Sequence, residues 1–95
     1  SVEVTNHTER VAKASIVTEK LSERTVHATG IMRPGAVADL GPIEAWYTEW
    51  VTLEVELMED PPLLPRHHRL KSGSRRIEIV RGRFAEGFEV REVKK

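Results

Sequence analysis

The chain contains four histidines, the residue type most often used as a metal ligand or general base near neutral pH. His67 and His68 are adjacent, so on an extended segment their imidazoles point to opposite sides and do not bind one ion together. His7 and His27 have no partner at ligand spacing, and the HExxH and HxH patterns are absent. We therefore predict no metal site and no cofactor, and we expect His67 and His68 to be surface residues of a basic loop.

Serine nucleophiles and paired carboxylates are the other groups that could support hydrolysis. Ser72 and Ser74 flank a turn glycine, and no Gly-x-Ser-x-Gly elbow surrounds either of them. The acidic residues include no pair that sequence spacing brings into one pocket. Gly73, Gly82 and Gly87 are isolated and form no phosphate-binding loop. The sequence thus predicts a protein that is not an enzyme and has no small-molecule substrate.

Most of the aromatic side chains fall in one short stretch, at Trp46, Tyr47 and Trp50. They could form the core of a thin domain, or they could form a contact surface, since Trp and Tyr are enriched among interface hot spots. A platform for stacking nucleic-acid bases would need basic neighbours. Glu44 and Glu49 lie alongside instead, which disfavours base stacking at this place.

Charge is divided between two consecutive segments, although 15 Lys and Arg balance 15 Asp and Glu over the whole chain. Residues 39–65 contain acids and no Lys or Arg. The candidate interface acids there are Asp39, Glu44, Glu49, Glu54, Glu56, Glu59 and Asp60. Residues 66–83 contain seven Lys and Arg and one acid, Glu78. The candidate interface bases there are Arg66, Arg69, Lys71, Arg75, Arg76, Arg81 and Arg83.

Three interpretations of this division are open. The two segments are solvated faces that partly neutralise each other within one chain, or the acidic segment of one subunit meets the basic segment of its neighbour. The second kind of contact is heterologous, so it closes into a ring or extends into a filament. In the third interpretation the 66–83 segment binds nucleic-acid phosphates, which the neutral total charge disfavours.

Length and composition indicate one small globular domain. With 95 residues the chain has a thin core, and we expect a single β-rich domain over residues 1–95. The absence of cysteine excludes disulfides and thiolate ligands, which small secreted domains usually need, and no apolar stretch is long enough to cross a bilayer. We therefore expect a cytoplasmic protein without membrane contact, in which the Asn6-His7-Thr8 glycosylation sequon arises by chance.

The N-terminal segment 7–22 permits two readings. Its apolar spacing fits a helix that Asn6 would cap together with Glu9. The β-branched residues within 14–18 favour a strand equally well. The sequence leaves this choice open.

The middle of the chain contains one strand, a turn and a loop. Residues 25–32 predict a strand in which Val26 and Ala28 share a face. Pro and Gly predict a turn at 33–35, and residues 36–42 have the composition of a loop. Residues 43–50 carry apolar side chains at helical spacing, which fits a short helix or a bulged strand.

The C-terminal half gives the clearest strands. Residues 51–57 alternate apolar and polar side chains, which predicts one buried and one exposed face. The prolines that follow exclude a central strand and predict a long, Pro-containing, basic loop over 58–74. Strands are predicted at 76–81 and 88–93. Four to six strands result, and the predicted fold is mainly β, a small antiparallel β-barrel or sandwich with one or two short helices.

The C-terminal half also resembles a known family. Its sequence runs Arg69-Leu70-Lys71-Ser72-Gly73, then Ile77-Glu78-Ile79, then Gly82-Arg83-Phe84, and ends Phe88-Glu89-Val90-Arg91-Glu92-Val93. A turn, a short Ile strand, a Gly-aromatic turn and a Val-rich strand in this order resemble the closing β-hairpins of small head–tail connector proteins of tailed bacteriophages, the head-completion or stopper class. Upstream, the run from Gly41 to Trp46 into the strand at Val51 is also similar, so the resemblance covers residues 39–93.

The resemblance implies a β-barrel subunit that forms a homo-oligomeric ring between portal and tail, next to other structural proteins. Its implied role is to join head to tail and to line or gate the DNA channel, without catalysis or cofactor. The expected location is then the virion, assembled in the host cytoplasm. The alternatives are a small β-barrel nucleic-acid-binding module that uses the 66–83 segment, and a regulatory protein that docks through its aromatic cluster.

Overall fold

The computed structural model describes residues 2–41, 51–59, 63–71, 76–82 and 87–93, and these residues form strands and no helix. In chain order the strands are β1 (Val2–Asn6), β2 (Ala12–Lys20), β3 (Glu23–Met32), β4 (Val37–Leu40), β5 (Val51–Leu57), β6 (Arg66–Arg69), β7 (Arg76–Arg81) and β8 (Phe88–Glu92). The prediction of a mainly β fold is confirmed, with more strands than the sequence indicated.

The strands form two sheets that pack as a small β-sandwich. The first sheet has the order β4-β1-β7-β8, and the second has the order β3-β2-β5-β6. Strands β1 and β7 run parallel, and the other paired strands described are antiparallel. The sheets are not closed into a barrel. Of the two predicted architectures the sandwich is therefore the one found, and the barrel that the family resemblance implied is not.

The sandwich has two lateral sides, each made by the last strands of both sheets. Strands β3 and β4 approach each other on one side, and β6 and β8 approach each other on the opposite side. We name these the β3–β4 side and the β6–β8 side. Within the described ranges each of these four strands has a hydrogen-bonded neighbour along one edge only, so both sides present edge strands.

Alternation along β5 builds one wall of the core. Val51, Leu53, Val55 and Leu57 are at most 3% exposed, whereas the residues between them are half-buried on the outer face. They pack against apolar side chains of β1, β7 and β8, of which Phe88 is a fully buried member. The predicted strand over 51–57 is confirmed, because a period of two puts every apolar residue of β5 on the core side.

Residues 12–20 of the ambiguous segment 7–22 form a central strand of the second sheet, so the helical interpretation is wrong. Strand β2 pairs with β3 along one edge and with β5 along the other. Asn6 caps no helix; it ends β1, and its Oδ1 accepts the backbone N–H of Thr8 at 2.9 Å. This is an Asx turn, an alternative that the same short polar residues favour.

Strand β3 is confirmed but contains a bulge. The register shifts between Ile16 and Val17, which pair with Ala28 and Val26, so His27 is an extra residue on β3. Val26 is consequently 47% exposed, while Ala28 stays packed against the core. The prediction that Val26 and Ala28 share a face is wrong because a bulge reverses the alternation.

Two short edge strands occupy segments that the sequence predicted as loops. Strand β4 lies in the predicted loop 36–42 and pairs with β1, and β6 lies in the predicted loop 58–74 and pairs with β5. Pro65 immediately precedes β6, where it removes no ladder hydrogen bond. Both strands depend on a neighbour distant in sequence, so their own residues carry little signal.

The turn at 33–35 is confirmed. The Ala36 N–H donates to the Arg33 carbonyl at 2.9 Å, and Gly35 has a φ of 80°, which a side chain would disfavour. The predicted helix or strand over 43–50 lies outside the described residues. Trp46, Tyr47 and Trp50 are also outside the described residues, and with them the choice between core and contact surface.

Candidate assembly interface

The predicted interface bases that the structure describes lie on two strands. Arg66 and Arg69 are exposed on the edge strand β6, and Lys71 follows it. Arg76 and Arg81 lie at the two ends of β7 in the other sheet. Arg75 and Arg83 are outside the described residues.

The predicted interface acids are separated into two places. Asp39 lies on the edge strand β4, while Glu54 and Glu56 lie on the outer face of β5 and Glu59 follows that strand. Glu44, Glu49 and Asp60 are outside the described residues. The acids of β5 are therefore neighbours of the basic strand β6 in the same chain, and Asp39 is on the opposite lateral side.

Glu54 is engaged within the chain by two basic side chains. Arg24 Nη2 donates to Glu54 Oε2 at 2.8 Å, and His67 Nε2 lies 3.3 Å from the same oxygen. The Arg24 hydrogen bond is the main cause that lowers the pKa of Glu54 below its ordinary value, with a smaller contribution from His67. Of the three interpretations of the charge division, neutralisation within one chain is the one that describes the contacts of Glu54.

Arg81 joins the two sheets at one end of the sandwich. Its Nε donates to Glu9 Oε1 at 2.8 Å, and its Nη2 bonds both Glu9 and Glu59. Glu9 follows β1 of the first sheet and Glu59 follows β5 of the second, so one guanidinium connects both layers. The bond from Arg81 lowers the pKa of Glu9, and the two carboxylates raise the pKa of Arg81.

Acid should weaken the fold through Glu54, which the E54Q variant tests. Because the folded-state pKa of Glu54 lies below its ordinary value of 4.5, this stabilisation is complete above that pH and is lost as the pH falls through the folded-state pKa. We expect the free energy of unfolding to fall less steeply with acid in E54Q than in the natural chain, measured by urea unfolding between pH 7 and 3. E56Q is the control, because it removes a carboxylate from the same face of β5. Equal acid profiles for E54Q and the natural chain would contradict the prediction.

The four histidines each contact a different partner. His67 meets Glu54 on the outer face, whereas His68 Nε2 lies 3.3 Å from Glu92 Oε1 in the other sheet, so these neighbours point to opposite sides as predicted. His7 Nε2 lies 3.6 Å from Glu78 Oε1, and His27 Nε2 lies 2.7 Å from the Thr18 hydroxyl. Among the described residues no three His, Cys, Asp or Glu side chains could hold a metal ion.

The two lateral sides of the sandwich differ in charge. On the β3–β4 side, Asp39 lies directly opposite Glu3 in the β1–β4 pair, and Glu23 is exposed on β3. Like charges directly opposite each other destabilise a strand pair. Arg76 is also a neighbour of Glu3, but it lies on β7, along the edge of β1 that faces away from β4. The β3–β4 side therefore has exposed acids, and its Arg24 is bound by Glu54. The β6–β8 side has the exposed bases Arg66 and Arg69 together with the acids Glu89 and Glu92.

The acidic side also exposes apolar side chains. Val26 and Ile31 of β3 are 47% and 68% exposed, and Val37 of β4 is 54% exposed. Sequence reasoning missed this combination because it assigned Val37 to a loop and Val26 to a buried face. The contributions of Glu3, Glu9, Glu23 and Arg24 were also missed, since these residues lie outside the two charged segments that composition reveals.

Comparisons with protein family models, with curated proteins and with solved structures gave no match. No helix in the described part of the chain is long and apolar enough to cross a membrane.

Proposed function

We propose that the chain is a non-catalytic structural subunit that assembles head to tail, with the β3–β4 side of one copy against the β6–β8 side of the next. The observation that supports this most is that the exposed acids Asp39 and Glu23 lie on one of these sides and the exposed base Arg66 on the other. Such a contact uses different surfaces on the two copies, so it closes into a ring or extends into a filament.

Both contact surfaces contain edge strands, which are suited to this kind of association. An edge strand presents backbone N–H and C=O groups that another chain can bind. On the β3–β4 side the exposed Val26 and Ile31 supply apolar area, while complementary charge selects the partner surface and its register. Glu54 and Glu59 take no part, because they bind Arg24, His67 and Arg81 within their own chain.

The narrower proposal is a subunit of the bacteriophage head–tail connector, located in the virion. Its support is the sequence resemblance over residues 39–93 together with a head-to-tail geometry that permits a ring. In that role the ring joins head to tail around the DNA channel, contacts neighbouring structural proteins and needs no cofactor. The sandwich differs from the barrel that the resemblance implies, but its open sides offer edge strands with which a neighbouring copy can pair.

Reversing the charge of Arg66 tests the head-to-tail contact. We expect light scattering to show a ring or filament at low salt that dissociates as salt rises, and we expect R66E to raise the dissociation constant about tenfold or more. R10E makes the same charge change on the exposed β1–β2 connection and should assemble normally. A natural chain that stays monomeric at every concentration and salt, or an R10E defect equal to that of R66E, would overturn the proposal.

A second candidate function is binding to nucleic-acid phosphates, favoured by the exposed Arg66, His67 and Arg69 on β6. In that case the free chain binds a DNA duplex, and its affinity falls steeply with salt because counterions are released. Fluorescence anisotropy with a labelled duplex separates the two. Salt-sensitive duplex binding that R66E weakens, in a chain that does not self-associate, would favour this candidate over assembly.

A further inference from the structure

The two-residue turn between β2 and β3 has a backbone that its residues disfavour. Lys20 and Glu23 are the last partners of the hairpin, so Leu21 and Ser22 form the turn. Their φ angles are 53° and 76°. Consecutive positive φ angles are typical of type I′ turns, in which Asn-Gly is the preferred pair and a bulky L-residue is unfavourable. Local folding preference therefore does not explain a leucine at this position.

Packing within the described part of the chain does not explain Leu21 either. Its side chain is 89% exposed, and the flanking Glu19, Lys20, Glu23 and Arg24 are exposed as well. The tip of the β2–β3 hairpin thus carries one apolar side chain that is surrounded by charged side chains. An apolar side chain kept in solvent on an unfavourable backbone indicates a use outside the chain.

A depression of about 390 Å3 lies on the outer face of the second sheet, at the same end of the sandwich as this tip. It is lined by Val17, Thr52 and His67, with Glu19 and Arg69 beside them. Thr52 pairs with Val17 on β2 and with Arg69 on β6. The β2–β5 pairing ends one residue further on, and the hairpin continues from there to its tip.

We propose that Leu21 of one copy enters this depression on the next copy, an inference that rests on the head-to-tail assembly proposed above. Lys20 then meets Glu19 of the rim and Glu23 meets Arg69, so opposite charges flank the apolar contact. In a ring whose axis runs along the strands, tips and depressions lie at the same level. The same contact then repeats between every pair of neighbours.

Replacing the turn by its preferred sequence separates folding from assembly. The double variant L21N/S22G should raise the thermal midpoint of the monomer, measured at high salt, because Asn and Gly adopt positive φ at a lower cost than Leu and Ser. The same variant should raise the dissociation constant of assembly about tenfold. L64N is the matched control, since Leu64 is also 85% exposed but precedes β6 at the other end of the sheet.

Introduced cysteines test the contact directly, because the natural chain has none. We expect a mixture of the L21C and T52C variants to form an intermolecular disulfide under mild oxidation. A mixture of L21C with E3C, on the exposed outer face of the inner strand β1 in the other sheet, should form far less.

The outcomes distinguish this inference from the proposed function. If R66E dissociates the assembly while L21N/S22G does not, or if L21C cross-links equally to T52C and E3C, the leucine contact is wrong and head-to-tail assembly stands. If the natural chain is monomeric under all conditions, both are wrong. A lowered thermal midpoint in L21N/S22G would overturn the argument from the turn backbone.

Discussion

The N6D variant is expected to lose about 3 kcal/mol or more of its free energy of unfolding. Asn6 is fully buried, and its Nδ2 donates to the carbonyls of Arg10 at 2.7 Å and Met32 at 3.1 Å. Its Oδ1 accepts the Thr8 backbone N–H at 2.9 Å and the Thr8 hydroxyl at 2.7 Å. The substitution keeps the shape but places a carboxylate oxygen against two carbonyl oxygens, so attraction becomes repulsion.

The pH dependence identifies the cause of this loss. Burial without a cation raises the pKa of an introduced carboxyl above its ordinary value of about 3.9. The difference in stability between N6D and the natural chain should therefore be smallest below that pH and grow as the pH rises. Urea unfolding at pH 3.5 and pH 7 measures it. Equal stability at pH 7, or a penalty independent of pH, would contradict the prediction.

Thr8 provides a matched pair of controls in the same turn. Its hydroxyl donates to Asn6 Oδ1 and also accepts the Arg10 backbone N–H at 3.3 Å. T8S keeps the hydroxyl and should cost little, whereas T8V removes it and leaves Asn6 Oδ1 with one donor, at a cost of about 1 kcal/mol. The order N6D, T8V, T8S in decreasing effect is the expected result.

The burial of Asn6 also shows what the local sequence could not decide. Asn6, Thr8 and Glu9 fit a helix cap, a glycosylation sequon and an Asx turn, because the same side-chain atoms serve all three. The choice depends on Met32, which is 26 residues away and reaches Asn6 only after β1, β2 and β3 are in place. A residue whose partners are that distant carries no readable local signal.

Strand periodicity, in contrast, is readable where one face is buried. Residues 51–57 could be predicted because the alternation of β5 is the core pattern itself, and residues 76–81 could be predicted for the same reason. The edge strands β4 and β6 could not, since β4 follows a turn and β6 is a run of bases and histidines. Their strand structure comes from β1 and β5, which offer them free backbone groups.

The charge arrangement was predictable in part. The division into an acidic and a basic segment is visible in the sequence, but the ion pairs that these segments form inside the chain are not. Arg81 binds Glu59, 22 residues away, and Glu9, 72 residues away, so a parallel β1–β7 pair and the packing of two sheets are needed before these contacts exist. Asp39, assigned to the same segment as Glu54, lies on the opposite lateral side for the same topological reason.

The G30A variant is expected to destabilise the fold by about 2 kcal/mol although it adds one methyl group. A Cβ at residue 30 would lie 2.9 Å from Ala38 Cβ and 3.1 Å from Leu40 Cδ2. The Leu40 side chain can move, but Ala38 Cβ is fixed to the backbone of β4, so β3 and β4 must separate. Gly30 therefore allows the two sheets to approach on the β3–β4 side.

A double-mutant cycle with A38G tests that cause. If the two Cβ atoms collide, G30A should cost clearly less in the A38G background than in the natural chain, because the obstructing atom is gone. G87A is the matched control: a Cβ there has Arg66 Nη2 at 4.0 Å as its nearest contact among the described residues. Urea unfolding of all variants measures the effect. Additive costs of G30A and A38G, or a loss in G87A as large as in G30A, would show that the approach of β3 and β4 does not limit residue 30.

Because the same side is proposed to bind the next copy, a separation of β3 from β4 in G30A should also weaken assembly, measured by light scattering.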